Sequence, residues 1–176
     1  MDLNAVLAGI QHWYNEQQAA LTDAEINPSF EVIQARQKAV QAEIDAKRQA
    51  LTGLFMEKNA AREEVTTTAS GLQYEVLESG SGGASPTHSS TVVTHYHGTL
   101  VDGTVFDSSV ERGDPAEFGV GQVIAGWTEA LQMMSVGDKW RIACPPELAY
   151  GEQGAGDSIP PNTPLVFEIQ LIDIRS

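Results

Sequence analysis

Residues 123–151 read VIAGWTEALQMMSVGDKWRIACPPELAYG, and this stretch decides the fold. Gly121 to Met134 carries a helix pattern, the only one in the C-terminal half. Asp138 to Cys144 reads as a strand. Upstream, Val92 to Leu100 alternates as a strand, and Asp102-Gly103 supplies a hairpin turn before Phe106-Asp107. Further upstream, Leu72 to Leu77 alternates too, and Gly80 to Pro86 is a flexible loop. Downstream, Leu165 to Ile174 forms a last strand. Several short strands with one helix predict an α+β domain, a helix packed on a largely antiparallel sheet.

Tyr96, Phe106, Val123, Ile124, Trp127, Tyr150 and Phe167 are separated by turns and strands, so only the fold can bring them together. The set contains no nucleophile–base pair and no good metal cluster, so neither cofactor nor metal is expected. It suits chemistry that needs an apolar aromatic pocket and a few fixed hydrogen bonds.

Five motifs occur in order: Val105-Phe106-Asp107-Ser108-Ser109, Val123-Ile124-Ala125-Gly126-Trp127, Leu148-Ala149-Tyr150-Gly151, Ile159-Pro160-Pro161 and Leu165-Val166-Phe167-Glu168. With them, Ser70 to Ile174 resembles an FKBP-type peptidyl-prolyl cis–trans isomerase. The helical N-terminus, with Glu57-Lys58-Asn59-Ala60 and Ser70-Gly71-Leu72-Gln73-Tyr74, is similar to the bacterial branch that includes the macrophage infectivity potentiator proteins and their cytoplasmic relatives. The resemblance implies a half-wrapped antiparallel sheet around a short helix, and rotation of X–Pro bonds. It implies Trp127 as a floor beneath the proline ring, with Tyr96, Phe106, Val123, Ile124 and Phe167 as walls. The Ile124 N–H and the Tyr150 hydroxyl would bind substrate carbonyls. Asp107 would stand at the rim, oriented by Arg112, and Ile159 would lie in a loop over the pocket. Macrolides such as rapamycin would compete with substrate. Ala116, Ala155 and Ser158 depart from the residues many relatives carry. They bear on the apolar reach before proline and on macrolide affinity.

The first 65 residues read as an all-α region with one long helix, and 66–176 as the isomerase domain. Leu3, Val6, Leu7 and Ile10 follow helical spacing, and Trp13 and Tyr14 extend that side. Thr22-Asp23-Ala24-Glu25 is a capping-box pattern, and Asn27-Pro28 marks a break or first turn. From Ser29 to about Glu64, Phe30, Ile33, Gln37, Val40, Ile44, Lys47, Leu51, Leu54 and Lys58 form a heptad-like stripe. Such a stripe wants a partner: the first helix, a second copy of the chain, or a substrate. A solvated helix docked on its own domain is the simpler alternative. The resemblance implies a homodimer that holds unfolded proteins with X–Pro bonds. A chaperone or interaction module with weak isomerase activity is the rival reading.

The 176 residues carry a net charge of −14 and 41% hydrophobic residues. That acidity argues against nucleic acid or an anionic membrane as partner. One cysteine, Cys144, excludes an internal disulfide and suits the cytoplasm. No secretory leader is visible, so the expectation is cytoplasmic, or periplasmic if a leader was removed.

His95 and His97 share a strand face but lack an evident third ligand, so they read as exposed polar residues flanking Tyr96. Asp102, Asp107 and Glu111 fit neither a calcium loop nor an acid–base pair. Gly151, Gly154 and Gly156 read as a mobile flap rather than a phosphate cradle. Cys144 reads as buried filler.

Overall fold

The computed structural model describes residues 3–17 and 23–175. The chain forms two compact units, Met1–Ile44 and Asp45–Ser176.

In the first unit, α1 spans Leu3–Gln17 and is followed by α2, Asp23–Ala60, whose residues beyond Ile44 belong to the second unit. Asn27-Pro28 does not break α2. Pro28 lies in its second turn, where one backbone bond is forgone and the long helix that follows outweighs that local cost. Thr22 of the expected capping box lies outside the described residues, as do the side chains of Leu3, Trp13 and Tyr14. Val6, Ile10, Val32, Val40 and Ile44 expose apolar surface.

The second unit is a seven-stranded sheet. Its strands are β1 (Thr66–Thr67), β2 (Gln73–Glu78), β3 (Thr91–Leu100), β4 (Val105–Ser108), β5 (Ala116–Gly119), β6 (Lys139–Cys144) and β7 (Leu165–Arg175). The order is β1-β2-β6-β7-β3-β4, with β5 also on β3, and every pairing is antiparallel. A one-turn helix, α3 (Ser109–Arg112), follows β4, and α4 (Ala125–Met133) is the helix around which the sheet wraps.

Gly126, Trp127, Ala130 and Leu131 are buried on α4, the spacing of one helix face. That face joins one core with Trp140, Ile142, Leu165, Phe167, Ile169 and Leu171 from β6 and β7. A Cβ on Gly126 would stand 2.5 Å from the Cys144 sulfur, so a glycine here lets α4 lie against β6.

The last turns of α2 dock on the second unit's own sheet. Thr52 Oγ1 donates to the Asn162 carbonyl at 3.0 Å, and Gln73 Nε2 donates to the Met56 carbonyl at 2.9 Å. Asn59 Nδ2 donates to Gln73 Oε1 at 2.8 Å, and Arg62 pairs with Glu75 at 2.7 Å. Thr52, Met56 and Asn59 are four and three residues apart and share a helix face. Leu51 and Leu54 of the expected stripe lie on another face and are exposed. Among these residues, therefore, the polar side of α2 makes the contact.

Candidate active site

The site assembles from four short segments. The hairpin β3–β4 turns at Val101–Thr104, where Thr104 N–H donates to Asp102 Oδ1 at 2.9 Å and Gly103 takes φ 87°. This turn sends Phe106 and Asp107 back beside Tyr96. A side chain on Gly98 would collide with Phe106, whose ring carbon lies 2.7 Å from a Cβ built there. The strand therefore needs a glycine beneath that ring. Val123 and Ile124 precede α4, and Trp127 stands in its first turn. Tyr150 follows the turn after β6, and Phe167 comes from β7.

These residues line a cavity of about 450 Å³: Tyr96, Phe106, Asp107, Val123, Ile124, Trp127, Tyr150 and Phe167, joined by Phe118 and Gln122. Trp127, 3% exposed, is held edge-on by three rings, Tyr96 at 5.3 Å, Phe118 at 5.5 Å and Phe167 at 5.4 Å. Phe106 meets Phe167 in the same T-shaped way at 5.5 Å. Edge-to-face contacts of this kind fix ring orientation beyond simple burial.

One polar cluster interrupts the apolar lining. Tyr96 Oη donates to Asp107 Oδ2 at 2.5 Å. Arg112 donates through Nη1 to Asp107 Oδ1 and through Nη2 to Tyr96 Oη, the latter at 2.8 Å. Its guanidinium carbon lies 5.6 Å from the centre of the Tyr96 ring. Burial, and then the bond to Asp107, push the Tyr96 phenol up. Burial opposes ionisation of Asp107, but the bonds from Tyr96 and Arg112 outweigh it and hold the carboxyl below its usual range. Both Asp107 oxygens thus already accept hydrogen bonds from strong donors. That arrangement suits a fixed negative charge and not a proton carrier.

The signs set a pH window. Asp107 ionises more readily in the fold, so its contribution is present above the ordinary carboxylate range and is lost as pH falls below that range through the lowered value in the fold. Tyr96 favours its neutral form, so its contribution is lost only as pH rises past the ordinary phenol range. Turnover is expected to stay flat from about pH 5 to 9 and to fall below about pH 4, as exchange measurements across that range will show.

Arg112 and Ile159 do not line the cavity. Arg112 acts on it through Asp107 and Tyr96. Ile159 is 6% exposed, packs into the core and forms an isolated bridge with Ala155. The Tyr150 ring is 42% exposed, and among the described residues its hydroxyl meets no partner. Ala116 is half-buried on β5, two residues before Phe118. Phe118 and Gln122 were not legible as site residues. The only signal for Phe118 is its two-residue spacing from Ala116, which places both on one strand face. His95 and His97 are half-buried rather than exposed, each within 3.1 Å of a serine hydroxyl, Ser109 and Ser108 respectively. Cys144 is buried, and that burial pushes its thiol up.

Comparison with known proteins places this geometry. Residues 82–172 match the FKBP-type peptidyl-prolyl cis-trans isomerase family, and residues 1–76 match the domain amino-terminal to such isomerases. The FKBP-type 22 kDa peptidyl-prolyl cis-trans isomerase of Escherichia coli is 46% identical over 97% of this chain and 82% of its own length. The crystal structure of FkpA from Escherichia coli superposes with a TM-score of 0.77 at 39% identity, covering 99% of this chain and 83% of that one. Against the curated FkpA sequences of Aeromonas hydrophila and Escherichia coli the chain spans 66% and 65% of their length.

The cytoplasmic expectation is corrected by a further relative. The outer membrane protein MIP of Legionella longbeachae is 40% identical over 99% of this chain and 77% of its own length. A chain with a single cysteine folds without a disulfide in either redox environment, so cysteine count carries no information on compartment here. Among the described residues, no helix is long and apolar enough to cross a membrane. Matched by this family over residues 1–76 and 82–172, and carrying an aromatic cavity with one charged cluster in its lining, the chain belongs to the FKBP-type peptidyl-prolyl cis–trans isomerases, enzymes that rotate X–Pro bonds in proteins.

Proposed function

We propose that the cavity seats the proline ring on Trp127 while the acyl side of the X–Pro bond turns against the Tyr96–Asp107–Arg112 cluster. The barrier to that rotation is about 20 kcal/mol and comes from loss of amide resonance. No proton or covalent bond has to move. Water stabilises the polar planar amide, so an apolar cavity favours the twisted form. Binding that twisted form better than either planar form is sufficient for catalysis. Phe106, Val123 and Phe167 form the walls. The Ile124 N–H and the Tyr150 hydroxyl bind substrate carbonyls, and the Asp107 charge faces the rotating carbonyl carbon. The observation that carries this reading is the combination of one apolar cavity with a carboxylate whose two oxygens are already engaged. Ile159 supports the site by pinning the 155–159 turn.

A prolyl-mimicking macrolide such as rapamycin is expected to compete with peptide, because its pipecolyl ring would occupy the same seat over Trp127. Ala116 offers less apolar surface than a phenylalanine would, at about 0.8 kcal/mol per buried methylene. Ala116→Phe should therefore tighten macrolide binding in competition calorimetry. Absence of competition by the unaltered chain would remove the proline seat from Trp127.

The exposed Val6, Ile10, Val32, Val40 and Ile44 of the first unit support a second proposal. Residues 1–65 act as an arm that joins two chains and holds unfolded clients, with 66–176 as the isomerase domain.

A further inference from the structure

The motif Asp107-Ser108-Ser109 carries two hydroxyls to which the reaction gives no task. Their place in the sheet supplies one. Strand β3 pairs with β7 along one whole edge, from Thr91 to Leu100. Its other edge is shared: β5 covers Thr91–Thr94 and β4 covers His97–Thr99. At Tyr96, between them, neither strand continues, because the chain has turned into α3. The Ser109 hydroxyl occupies that gap. It accepts the Tyr96 N–H at 2.8 Å and lies 3.2 Å from the Tyr96 carbonyl, to which it can donate. His95 Nδ1, at 3.1 Å, is the other acceptor open to its single proton. Ser109 is fully buried, and Tyr96 is 6% exposed.

The Ser109 side chain therefore gives the Tyr96 N–H the acceptor that a neighbouring strand would otherwise supply, and it shares the Tyr96 carbonyl with the Ser108 hydroxyl, 3.5 Å away. Ser108 does the matching task for the other end of the cluster. Its hydroxyl accepts the Glu111 N–H at 3.2 Å as the N-cap of α3, the turn that ends in Arg112. Buried backbone groups without partners draw in water or shift the strand. Either response at Tyr96 would move a phenol that must meet Asp107 within hydrogen-bond distance.

We propose that Ser109 is a positioning residue of the isomerase, fixing the Tyr96 backbone so that its hydroxyl meets Asp107 and Arg112. The inference rests on the role given above to the Tyr96–Asp107–Arg112 cluster. Its test is a double-mutant cycle on the full chain, with Ser109→Ala, Tyr96→Phe and the pair, read as kcat and KM for a short X–Pro peptide. Ser109→Ala should lower kcat about tenfold, a barrier change of about 1.4 kcal/mol, with KM little changed because Trp127 and Phe106 are untouched. Ser109→Thr, which keeps the hydroxyl, should retain more activity. The double variant should be no slower than Tyr96→Phe alone, since both changes remove one interaction. If Ser109→Ala does not fold, Ser109→Cys keeps the volume with weaker hydrogen bonding and should shift kcat in the same direction. An unchanged kcat in the folded Ser109 variant, or additive losses in the double variant, overturns the proposal while leaving the cluster's role standing. A silent Tyr96→Phe instead removes the cluster's role, and the proposal falls with it.

Discussion

Trp127→Ala is expected to remove prolyl-ligand binding and most turnover together, with a lower melting temperature. The side chain is 3% exposed and meets the rings of Tyr96, Phe118 and Phe167 edge-on. Truncating a buried tryptophan costs about 3–5 kcal/mol. That is a large part of the ~5–15 kcal/mol by which ordinary domains are stable. Loss of activity through unfolding must therefore be separated from loss of the proline seat. Trp127→Phe keeps an apolar ring and should remain folded, with ligand affinity between that of the parent and the alanine variant. Thermal melts alongside calorimetry make the distinction. A folded Trp127→Ala that binds prolyl ligand as well as the parent would show that the floor lies elsewhere.

Removing residues 1–44 should separate the two kinds of substrate. Every cavity residue lies beyond that segment, so turnover of a short peptide should be nearly unchanged. The cut also spares Thr52, Met56, Asn59 and Arg62, whose contacts tie the end of α2 to the sheet. A deletion through residue 65 would remove them and confuse loss of the arm with loss of stability. Catalysis of a proline-limited refolding protein should fall by about a hundredfold, because holding a client raises its effective concentration at the cavity. Sedimentation should show a dimer becoming a monomer. The substitutions Val40→Glu and Ile44→Glu, which put charge on the exposed apolar side, should act in the same direction. Equal refolding catalysis by the shortened chain would make the first unit a solvated helix pair with no part in client handling.

The long elements were legible because their periodicity repeats. Ten residues of alternation in β3 and eleven in β7 leave no other reading, and the apolar spacing of Trp127, Ala130 and Leu131 marks α4. The short elements were not. β5 and α3 have four residues each, less than the span over which a pattern declares itself. Ser108 as an N-cap and Gly113 at φ 80° become recognisable only once α3 is seen. The cavity was legible through motif order, which brought Tyr96, Phe106, Asp107, Val123, Ile124, Trp127, Tyr150 and Phe167 to one place. Phe118 and Gln122 escaped because one belongs to the unread strand and the other to the turn before α4. The stripe on α2 did not reveal how the helix end docks, for a physical reason. Its last apolar members, Leu51 and Leu54, are exposed, while the docking face uses hydrogen bonds from Thr52 and Asn59, which no hydrophobic pattern records.

The most direct test of the account is exchange spectroscopy on a short X–Pro peptide with catalytic amounts of the chain. The uncatalysed interconversion takes about 10–100 s at 25 °C. Acceleration is predicted in chelator-treated buffer, level across about pH 5 to 9, and strongly reduced in a folded Asp107→Leu variant that lacks the fixed charge. Exchange no faster with the chain than without it would contradict the account at its centre.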